Sequence, residues 1–459
     1  MKDRASSRSA NDSCTVAVIS DFIVSTKPEN IPRSAVDAAK RCVLDLLGAA
    51  AAGVNTLPAR AVRRVFDRYS VEGTATVWFH GLQHPAPAVA MANSAAASAL
   101  DLDDGHRAAG GHPGAAIIPA AIAVAEEERA SGRDLLTAIV LGYEVAVRIA
   151  SARDFAKLDT LSTGRWGAFG VVAACGWLRG FSDCELTQAL AVAGVQSPGL
   201  SAMGYSRVMG NSVKEGIPWA TFTGLVAMDL VKEGYTGPTD ILDHPTYYDA
   251  VRIRSHLRKS FAIERTYFKP YSCCRWIHSA VDGLLEIMDS QGLSAEEIQR
   301  VDVATFQRAL TLNNYPDPPT LESAQYSIPF CLGVAAVKGK DALLPLEEKL
   351  LGDPEIVAFA RRVHLQKDDE LSRLFPERTP ARLRIATSSG IHEKTVMHPL
   401  GDPAHPLSTE ALEEKFRKLT RFLLDPKAQD HLIRVIHELD RLPNLDPLIV
   451  ELTPKKTWP

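Results

Sequence analysis

Through the first 265 residues, apolar positions recur mostly at helical spacing, in segments rich in alanine. The stretch 19–52 predicts two helices, the second of which begins near Pro32 and ends at Gly53. Alanine runs at 49–52 and 95–97 have side chains small enough for neighbouring helices to approach closely. Further helices are predicted at Arg60–Tyr69, Leu135–Ser151, Gly167–Leu178, Asp183–Ala193 and Val213–Glu233. The pattern therefore predicts a layered helical body.

From about residue 267 the pattern changes. Residues Ile298–Thr305 and Ala381–Thr387 alternate apolar and polar positions, as half-buried strands do. A further strand at Glu393–Met397 could pair with the second of these across the turn Ser388–Gly390. Helices are predicted around these strands at Ala280–Ser290, Ser327–Val337 and Pro354–Val363. This part of the chain predicts a small α/β domain.

A linker rich in Pro and Gly, residues 398–406, ends the α/β part, and helices at Thr409–Leu423 and Gln429–Leu442 follow it. We infer that these two helices return to the helical body. The predicted fold is mainly α, with a large all-helical domain built from both chain ends and a smaller inserted α/β domain. The predicted boundaries are 1–266 for the first part of the helical domain, 267–400 for the α/β domain and 401–459 for the C-terminal return.

Composition limits the partners and the location. The chain has 459 residues, net charge −4 and no segment dense in Lys and Arg, so we expect no nucleic-acid partner. The first fourteen residues lack the apolar core of a signal peptide, and the apolar segments are too short or too polar to span a bilayer. Seven cysteines, mostly in apolar stretches and without zinc or iron–sulfur spacing, indicate reduced thiols. We expect a cytoplasmic protein with no membrane partner.

The segment 99–126 concentrates the groups that can carry chemistry. Within a dozen residues it holds three carboxylates and two imidazoles, Asp101, Asp103, Asp104, His106 and His112. Three glycines open it between two helical runs of small residues, Gly105, Gly110 and Gly111. A polar turn between tightly packed helices places acids and bases at the mouth of a pocket. We therefore predict that this segment is the catalytic centre.

Other interpretations of these aspartates are weaker. A calcium loop needs Gly at its sixth position and Glu at its twelfth, whereas Gly105 is fifth and His112 twelfth from Asp101. An acid cluster that protonates an alkene would need an aromatic-rich cavity, which 7% aromatic residues do not favour. One aspartate could cap the following helix, since Asp is a favoured cap, but this is less expected of all three. His112 precedes that helix, whose free N-terminal amides favour a carboxylate ligand beside an acid/base imidazole.

Later segments supply cations. Lys214 opens a helix of mostly apolar residues, although a solvated surface lysine is an equally open interpretation. Lys269, Arg275 and His278 fall within ten residues among Tyr, Cys and Trp, a mixture unlike a surface stripe, and Arg suits bidentate binding of a carboxylate. Arg165, at the glycine-rich helix entry 162–170, could bind an anion, brace a second subunit or lie at the surface.

Six blocks in order resemble those of the MmgE/PrpD family, which includes 2-methylcitrate dehydratase, cis-aconitate decarboxylase and iminodisuccinate epimerase. The blocks are LDLDDGH…GHPGAAIIPA, GYEVAVRIA, TGRWGAFGVVAA, VKEGIPWAT, FKPYSCCRWIH and AQYSIPF, and the likeness runs from about residue 20 to 450. The resemblance implies an all-helical domain from both chain ends, a smaller α/β lid and a homodimer. It also implies an active site between the domains that works without metal, so we expect no cofactor.

By motif, the family's aspartate and histidine resemble Asp101 and His112, and its two lysines resemble Lys214 and Lys269. The chain departs from the family at four places. Gly105 replaces a threonine, Leu161 a histidine and Phe330 a tyrosine of the decarboxylase, and the block Cys273-Cys274-Arg275 with His278 resembles the epimerase-type branch more closely.

These observations predict a metal-free lyase, a hydro-lyase or decarboxylase, that transfers a proton at carbon beside a carboxylate of a small di- or tricarboxylate. Lys214, Lys269 and Arg275 would hold the substrate, and Asp104 and Arg165 are further candidates for binding it. His112, assisted by Asp101, would transfer the proton, and His278 would be the second acid/base. The alternatives are an epimerase of a dicarboxylate using the same proton chemistry, and an anion-binding protein without activity.

Overall fold

The computed structural model describes residues 14–69, 72–158, 161–197 and 210–453. The predicted mainly α fold is confirmed. The helices of the first part are α1 (Thr15–Ser25), α2 (Arg33–Gly53), α3 (Leu57–Tyr69), α4 (Ala86–Ser98), α5 (Pro113–Glu127), α6 (Gly132–Ser151), α7 (Gly167–Leu178), α8 (Asp183–Gln196) and α9 (Ile217–Lys232). Two short paired strands, β1 (Ala75–Thr76) and β2 (Gln83–His84), lie between α3 and α4.

Small residues set how closely these helices pack. A Cβ atom on Gly53 at the end of α2 would lie 2.0 Å from the carbonyl oxygen of Ala96 in α4, so the two backbones touch there. Gly142 of α6 and Gly170 of α7 face each other in the same way. The whole of α5 from Pro113 to Ala125 is buried. This close packing surrounds the segment that enters α5 with rigid walls.

The second part carries the sheet. The short helix α10 (Ala250–Arg254) precedes it and packs with the first part. The helices of the second part are α11 (His278–Gln291), α12 (Leu321–Ala324), α13 (Ile328–Lys338), α14 (Pro354–Ala360) and α15 (Asp369–Ser372). Its strands are β3 (Ile298–Thr305), β4 (Val363–Lys367), β5 (Ala381–Thr387) and β6 (Gly390–Val396). They are ordered β4-β3-β5-β6, with β3 parallel to β4 and the other pairs antiparallel. The two best-patterned strands lie as predicted, whereas Val363, the last residue of a predicted helix, begins β4.

Buried apolar side chains of the described residues form two large clusters. The first draws on residues between 16 and 268 and again between 407 and 452, and we call it the helical body. It includes the last helices, α16 (Thr409–Thr420), α17 (Pro426–His437) and α18 (Asp446–Leu452). The second draws on residues between 271 and 385, and we call that stretch the α/β region. The exact domain boundaries stay a prediction.

Within the described ranges, no single helix is both long and apolar enough to cross a membrane. The consecutive helices α2 and α3 meet the length and composition criteria only when taken together, and they are bent by 86° at their junction.

Candidate active site

The segment between α4 and α5 is held in place by backbone contacts. Gly105 and Tyr267 form an antiparallel bridge, in which the Gly105 N–H donates at 3.1 Å and the Tyr267 N–H at 2.9 Å. Lys415 of α16 donates to the Leu102 carbonyl at 2.8 Å and pairs with Asp45 at 2.6 Å. The C-terminal helices therefore brace the predicted catalytic segment directly.

Asp101 is the centre of a buried charge cluster. Its carboxylate lies 3.2 Å from the Lys214 ammonium through one oxygen and 3.2 Å from the Lys269 ammonium through the other. Lys269 also donates to the Asp101 carbonyl at 3.1 Å. Asp101 has a φ of 55°, in the left-handed region of backbone conformation, which Asp adopts more readily than most residues do. Residues more than a hundred positions apart thus meet around one carboxylate.

His112 lies beside this cluster and is oriented by Asp103. Its Nδ1 is 2.9 Å from the Asp103 carboxylate, and its Nε2 is 3.8 Å from that of Asp101. Its backbone N–H donates to the Thr163 hydroxyl at 3.0 Å. The hydrogen-bonding partner of the imidazole is therefore Asp103, and Asp101, the partner expected from the sequence, stands between His112 and the lysines.

The charges determine the protonation states of these groups. Burial alone would raise the pKa of Asp101, but the Lys214 and Lys269 ammoniums outweigh it and hold the pKa well below its usual range. Burial would lower the pKa of Lys269, and Asp101 and Asp103 raise it above its usual value. Burial and Lys269 would lower the pKa of His112, and Asp103 and Asp101 raise it nonetheless. The site therefore favours the charged forms of Lys269 and His112.

Lys214 reaches the site from a strained turn. Lys214, Glu215 and Gly216 have φ values of 43°, 57° and 74°, in the left-handed region, immediately before α9. The Lys214 side chain is 2% exposed, so the interpretation as a solvated surface lysine is wrong. Strained backbone that is held by its surroundings is frequent at functional sites.

Two residues of the site were not singled out from the sequence. Gln325 accepts from Lys214 at 3.0 Å and donates to the Ala99 carbonyl at 3.1 Å, and the Tyr326 hydroxyl is 3.4 Å from the Lys214 nitrogen. Asp103 was named in the predicted catalytic segment but was given no role of its own. The signal was the block AQYSIPF, which contains both Gln325 and Tyr326.

The structure shows the surroundings of three residues that depart from the family pattern. Phe330, taken as the counterpart of the decarboxylase tyrosine, is fully buried in the core of the α/β region, while Tyr326 four residues earlier reaches Lys214. Leu161 packs beside Gly110. Gly105 leaves room for Tyr267, because a Cβ there would lie 2.3 Å from the Tyr267 hydroxyl oxygen.

Asp104 is turned away from the lysines. It accepts from the Gly114 N–H at 3.0 Å, in the first turn of α5, and from the Tyr143 hydroxyl. Burial raises the pKa of Asp104 to about 7, despite the hydrogen bond from Tyr143. The structure gives Asp104 the helix-capping contact, and the geometry does not support the expected contact with substrate.

Arg275 and His278 are engaged in internal contacts. Arg275 donates to the carbonyls of Leu400 at 2.8 Å and Pro399 at 3.1 Å. His278 is fully buried, with Nε2 3.1 Å from the Cys273 carbonyl and Nδ1 3.3 Å from Arg275, and burial lowers its pKa well below the usual value. Both imidazole nitrogens are already bonded, so the geometry does not support the role of second acid/base.

Arg165 is half-buried in a short turn before α7. Burial is the main cause that lowers the pKa of Arg153 to about 10 and raises the pKa of Tyr248, and the nearby charge of Arg165 acts to lower both. In the part of the chain that the structure describes, no bond joins Arg165 to Asp101 or His112. Its role as a substrate ligand stays a prediction.

Three side chains of the site carry atoms of the kind that bind metal ions. Asp101, Asp103 and His112 each offer a ligand atom, and these atoms lie within 4.8 Å of one another. Two ammonium groups already share the Asp101 carboxylate at 3.2 Å, however, and would repel a divalent cation placed there. The donor set therefore suits an anion better than a metal ion.

The chain is similar over most of its length to known proteins. The model of the MmgE/PrpD N-terminal domain matches residues 17–256, and that of the MmgE/PrpD C-terminal domain matches residues 271–441. The chain is 23% identical over 474 residues to the cis-aconitate decarboxylase-like protein oryM of Aspergillus oryzae, covering 94% of this chain and 96% of that one. It is 25% identical to cis-aconitate decarboxylase of Aspergillus terreus, covering 92% of each, and 24% identical to that of Homo sapiens, covering 89% and 88%. The epimerase alternative, and the likeness to an epimerase-type branch, find no support here.

Proposed function

The chain belongs to the MmgE/PrpD family, and from this premise we propose that it is a lyase that decarboxylates a small di- or tricarboxylate. The names of its relatives favour loss of CO₂ over loss of water. The observation that carries the proposal is the pair of buried ammoniums, Lys214 and Lys269, set beside the His112–Asp103 pair.

The charge balance of this cluster suits a carboxylate substrate. With His112 protonated, three positive groups face the two carboxylates of Asp101 and Asp103, which leaves one positive charge in excess. A substrate carboxylate entering beside Lys214 and Lys269 meets ammoniums that are already desolvated and fixed by Asp101. Such preorganised charges stabilise developing negative charge more strongly than water does.

The reaction divides into two steps. In the first, the bond between the carboxylate carbon and its neighbour breaks, CO₂ leaves, and the electron pair stays on the neighbouring carbon, delocalised toward a remaining carboxylate. Lys214 and Lys269 hold the oxygens on which this negative charge accumulates. In the second, the imidazolium of His112 gives its proton to that carbon, and the neutral imidazole takes a proton from water for the next turnover.

Each neighbour of the reacting groups has a part in this scheme. Asp103 fixes the ring of His112 and favours its protonated form, which the reaction needs. Asp101 holds both lysines in place and keeps Lys269 charged, and Gln325 and Tyr326 orient Lys214 from the α/β region. General acid catalysis contributes roughly 10²–10⁴-fold, so charge stabilisation by the lysines must supply much of the remainder.

The test measures what is lost from the substrate. Purified protein is incubated with cis-aconitate, citrate and other small polycarboxylates, and CO₂ and product mass are recorded. We expect CO₂ release from at least one of them, abolished in Lys269→Met and retained in Lys259→Met, whose lysine is exposed elsewhere.

Two outcomes would contradict the proposal. Loss of water without CO₂ would make the protein a hydro-lyase with the same proton chemistry. Saturable binding of these acids without any turnover would make it an anion-binding protein.

A further inference from the structure

A cavity lies where the helical body meets the α/β region. Its volume is about 1100 Å³. It is lined by the loop that follows Asp104, by residues just after α6, by the segments 306–311 and 372–377, and by residues 402–404. None of Asp101, His112, Lys214 and Lys269 lines it. It is therefore separate from the candidate active site and large enough for a small organic ligand.

Positive charge predominates in the walls of this cavity. Five arginines line it, Arg107, Arg153, Arg252, Arg265 and Arg308. Four carboxylates line it as well, and one of them, Asp402, accepts from Arg107 Nε at 2.7 Å. Arg252 and Arg265 are exposed to solvent at its rim. One positive charge remains in excess, which favours an anionic ligand.

Two buried side chains in the wall keep a polar atom without a partner among the described residues. They are Arg153 Nη1 and His106 Nδ1, and both residues are more than nine-tenths buried. The other ring nitrogen of His106 donates to the Ala262 carbonyl at 3.1 Å, and burial lowers the pKa of His106 to about 4. The neutral ring therefore presents Nδ1 as an acceptor, while Arg153 presents a donor. Buried polar groups are normally paired, so these two atoms indicate a missing partner.

The remaining wall is aromatic. Phe306 and Phe375 stack with their ring centres 5.0 Å apart and their planes at 11°, and both line the cavity. Phe155 lines it too and lies 6.0 Å from the Arg153 guanidinium. These rings offer apolar area beside the cationic groups, as ligand sites commonly do.

We propose that this cavity is a second ligand site, for a small organic anion with an apolar, ring-sized body. A carboxylate or phosphate group of the ligand faces the arginines, a hydroxyl or amine donates to His106 Nδ1, and the apolar body lies against the phenylalanines. Because His106 and Arg107 follow directly from Asp104 and Gly105, a bound ligand also braces the catalytic segment. This site does not depend on the proposed reaction.

Trp276 serves as a reporter for this cavity. Its ring lies 5.9 Å from that of Phe306 and 5.7 Å from that of Phe375, in edge contact with both. The full-length protein is labelled with 5-fluorotryptophan, and its six tryptophan signals are followed by ¹⁹F NMR, with Trp276→Phe identifying the signal. The probes are phenyl phosphate, 4-hydroxybenzoate and inorganic phosphate.

We expect a saturable shift of the Trp276 signal with a ring-bearing probe, with a Kd below about 1 mM. Phenyl phosphate alone would indicate a phosphate ligand, and 4-hydroxybenzoate alone a carboxylate. The double variant Arg252→Glu/Arg265→Glu should weaken binding roughly tenfold or more, because it reverses two charges at the rim. Arg361→Glu, an exposed arginine outside the cavity, should leave the affinity unchanged.

Binding should also persist in Lys269→Met, which separates this site from the candidate active site. The absence of a saturable shift with every probe, an unchanged affinity in the double variant, or loss of binding in Lys269→Met would each overturn the proposal.

Discussion

Removing the Lys269 ammonium should lower both the free energy of unfolding and the catalytic activity. A second substitution, Asp101→Asn, should restore part of the stability but not the activity. In Lys269→Met, the buried Asp101 carboxylate keeps one of its two cations. At 3.2 Å and an effective dielectric constant of about 20, the lost attraction is about 5 kcal/mol. Breaking one side of a buried ion pair typically costs about 3–5 kcal/mol, in agreement with that figure.

Asp101→Asn is the matching change on the other side of the pair. It leaves two ammoniums close together without their shared counter-charge, so it should also lower the free energy of unfolding. In the double variant Lys269→Met/Asp101→Asn, an ammonium and a carboxylate are removed together, so the net charge of the cluster is the same as in the native protein. Its destabilisation should therefore be smaller than the sum of the two, by about 0.5–3 kcal/mol. The Asp101 carbonyl, which accepts from Lys269 at 3.1 Å, stays unpaired and prevents full recovery.

Activity should not recover with stability. If Lys269 stabilises charge in the transition state, kcat in the double variant stays roughly 10²-fold or more below that of the native protein. The assay pairs urea unfolding, followed by circular dichroism, with CO₂ release, and Lys259→Met serves as the control. Additive destabilisation would refute the ion pair, and recovered turnover would refute the catalytic role of Lys269.

Three further predictions concern the neighbours of this pair. Asp103→Asn should lower the pKa of His112, so kcat/KM should begin to fall at a lower pH than in the native protein. An unchanged pH profile would contradict the role of Asp103. Burial raises the pKa of Asp104 to about 7, whereas the unfolded chain releases this proton near pH 4. The protonated Asp104 therefore contributes to the free energy of unfolding at low pH, and this contribution is lost as the pH rises to about 7. Asp104→Asn should therefore raise Tm relative to the native protein more at pH 8 than at pH 5, and the opposite order would refute the assignment. Gly105→Ala should destabilise the protein by about 1–3 kcal/mol, because its Cβ would lie 2.3 Å from the Tyr267 hydroxyl. Thermal unfolding should show that the double variant Gly105→Ala/Tyr267→Ala regains part of this loss relative to Tyr267→Ala alone.

Local patterns predicted much of the fold, because they depend on neighbours along the chain. The alternation in 298–305 and 381–387 predicted β3 and β5 at their observed bounds. Strand β4 escaped prediction because its alternation contains only two apolar residues, Val363 and Leu365, and Val363 also fits the end of the helix predicted before it. The predicted homodimer and cytoplasmic location stay predictions.

The sequence indicated several side chains that the structure brings together, but not how they pair. Asp101, His112, Lys214 and Lys269 meet as expected, since motif and charge singled them out. Asp103, and not Asp101, is the hydrogen-bonding partner of the His112 Nδ1 atom. This choice depends on the backbone turn at Asp101, which the spacing of residues in the sequence does not specify. His278 looked reactive beside Arg275 and Lys269, yet it is bonded to a backbone carbonyl in its own turn.

The most direct test of His112 as the proton donor of a decarboxylase measures CO₂ release and deuterium incorporation in the same reaction. The native protein turns over its polycarboxylate substrate in D₂O, and NMR records CO₂ released and deuterium bound to carbon in the product. We predict one deuteron on one face of the carbon for each CO₂, with the rate falling roughly 10²–10⁴-fold in His112→Gln. Deuterium without CO₂, or an unchanged rate in His112→Gln, would contradict the assignment of His112 as the proton donor of a decarboxylase.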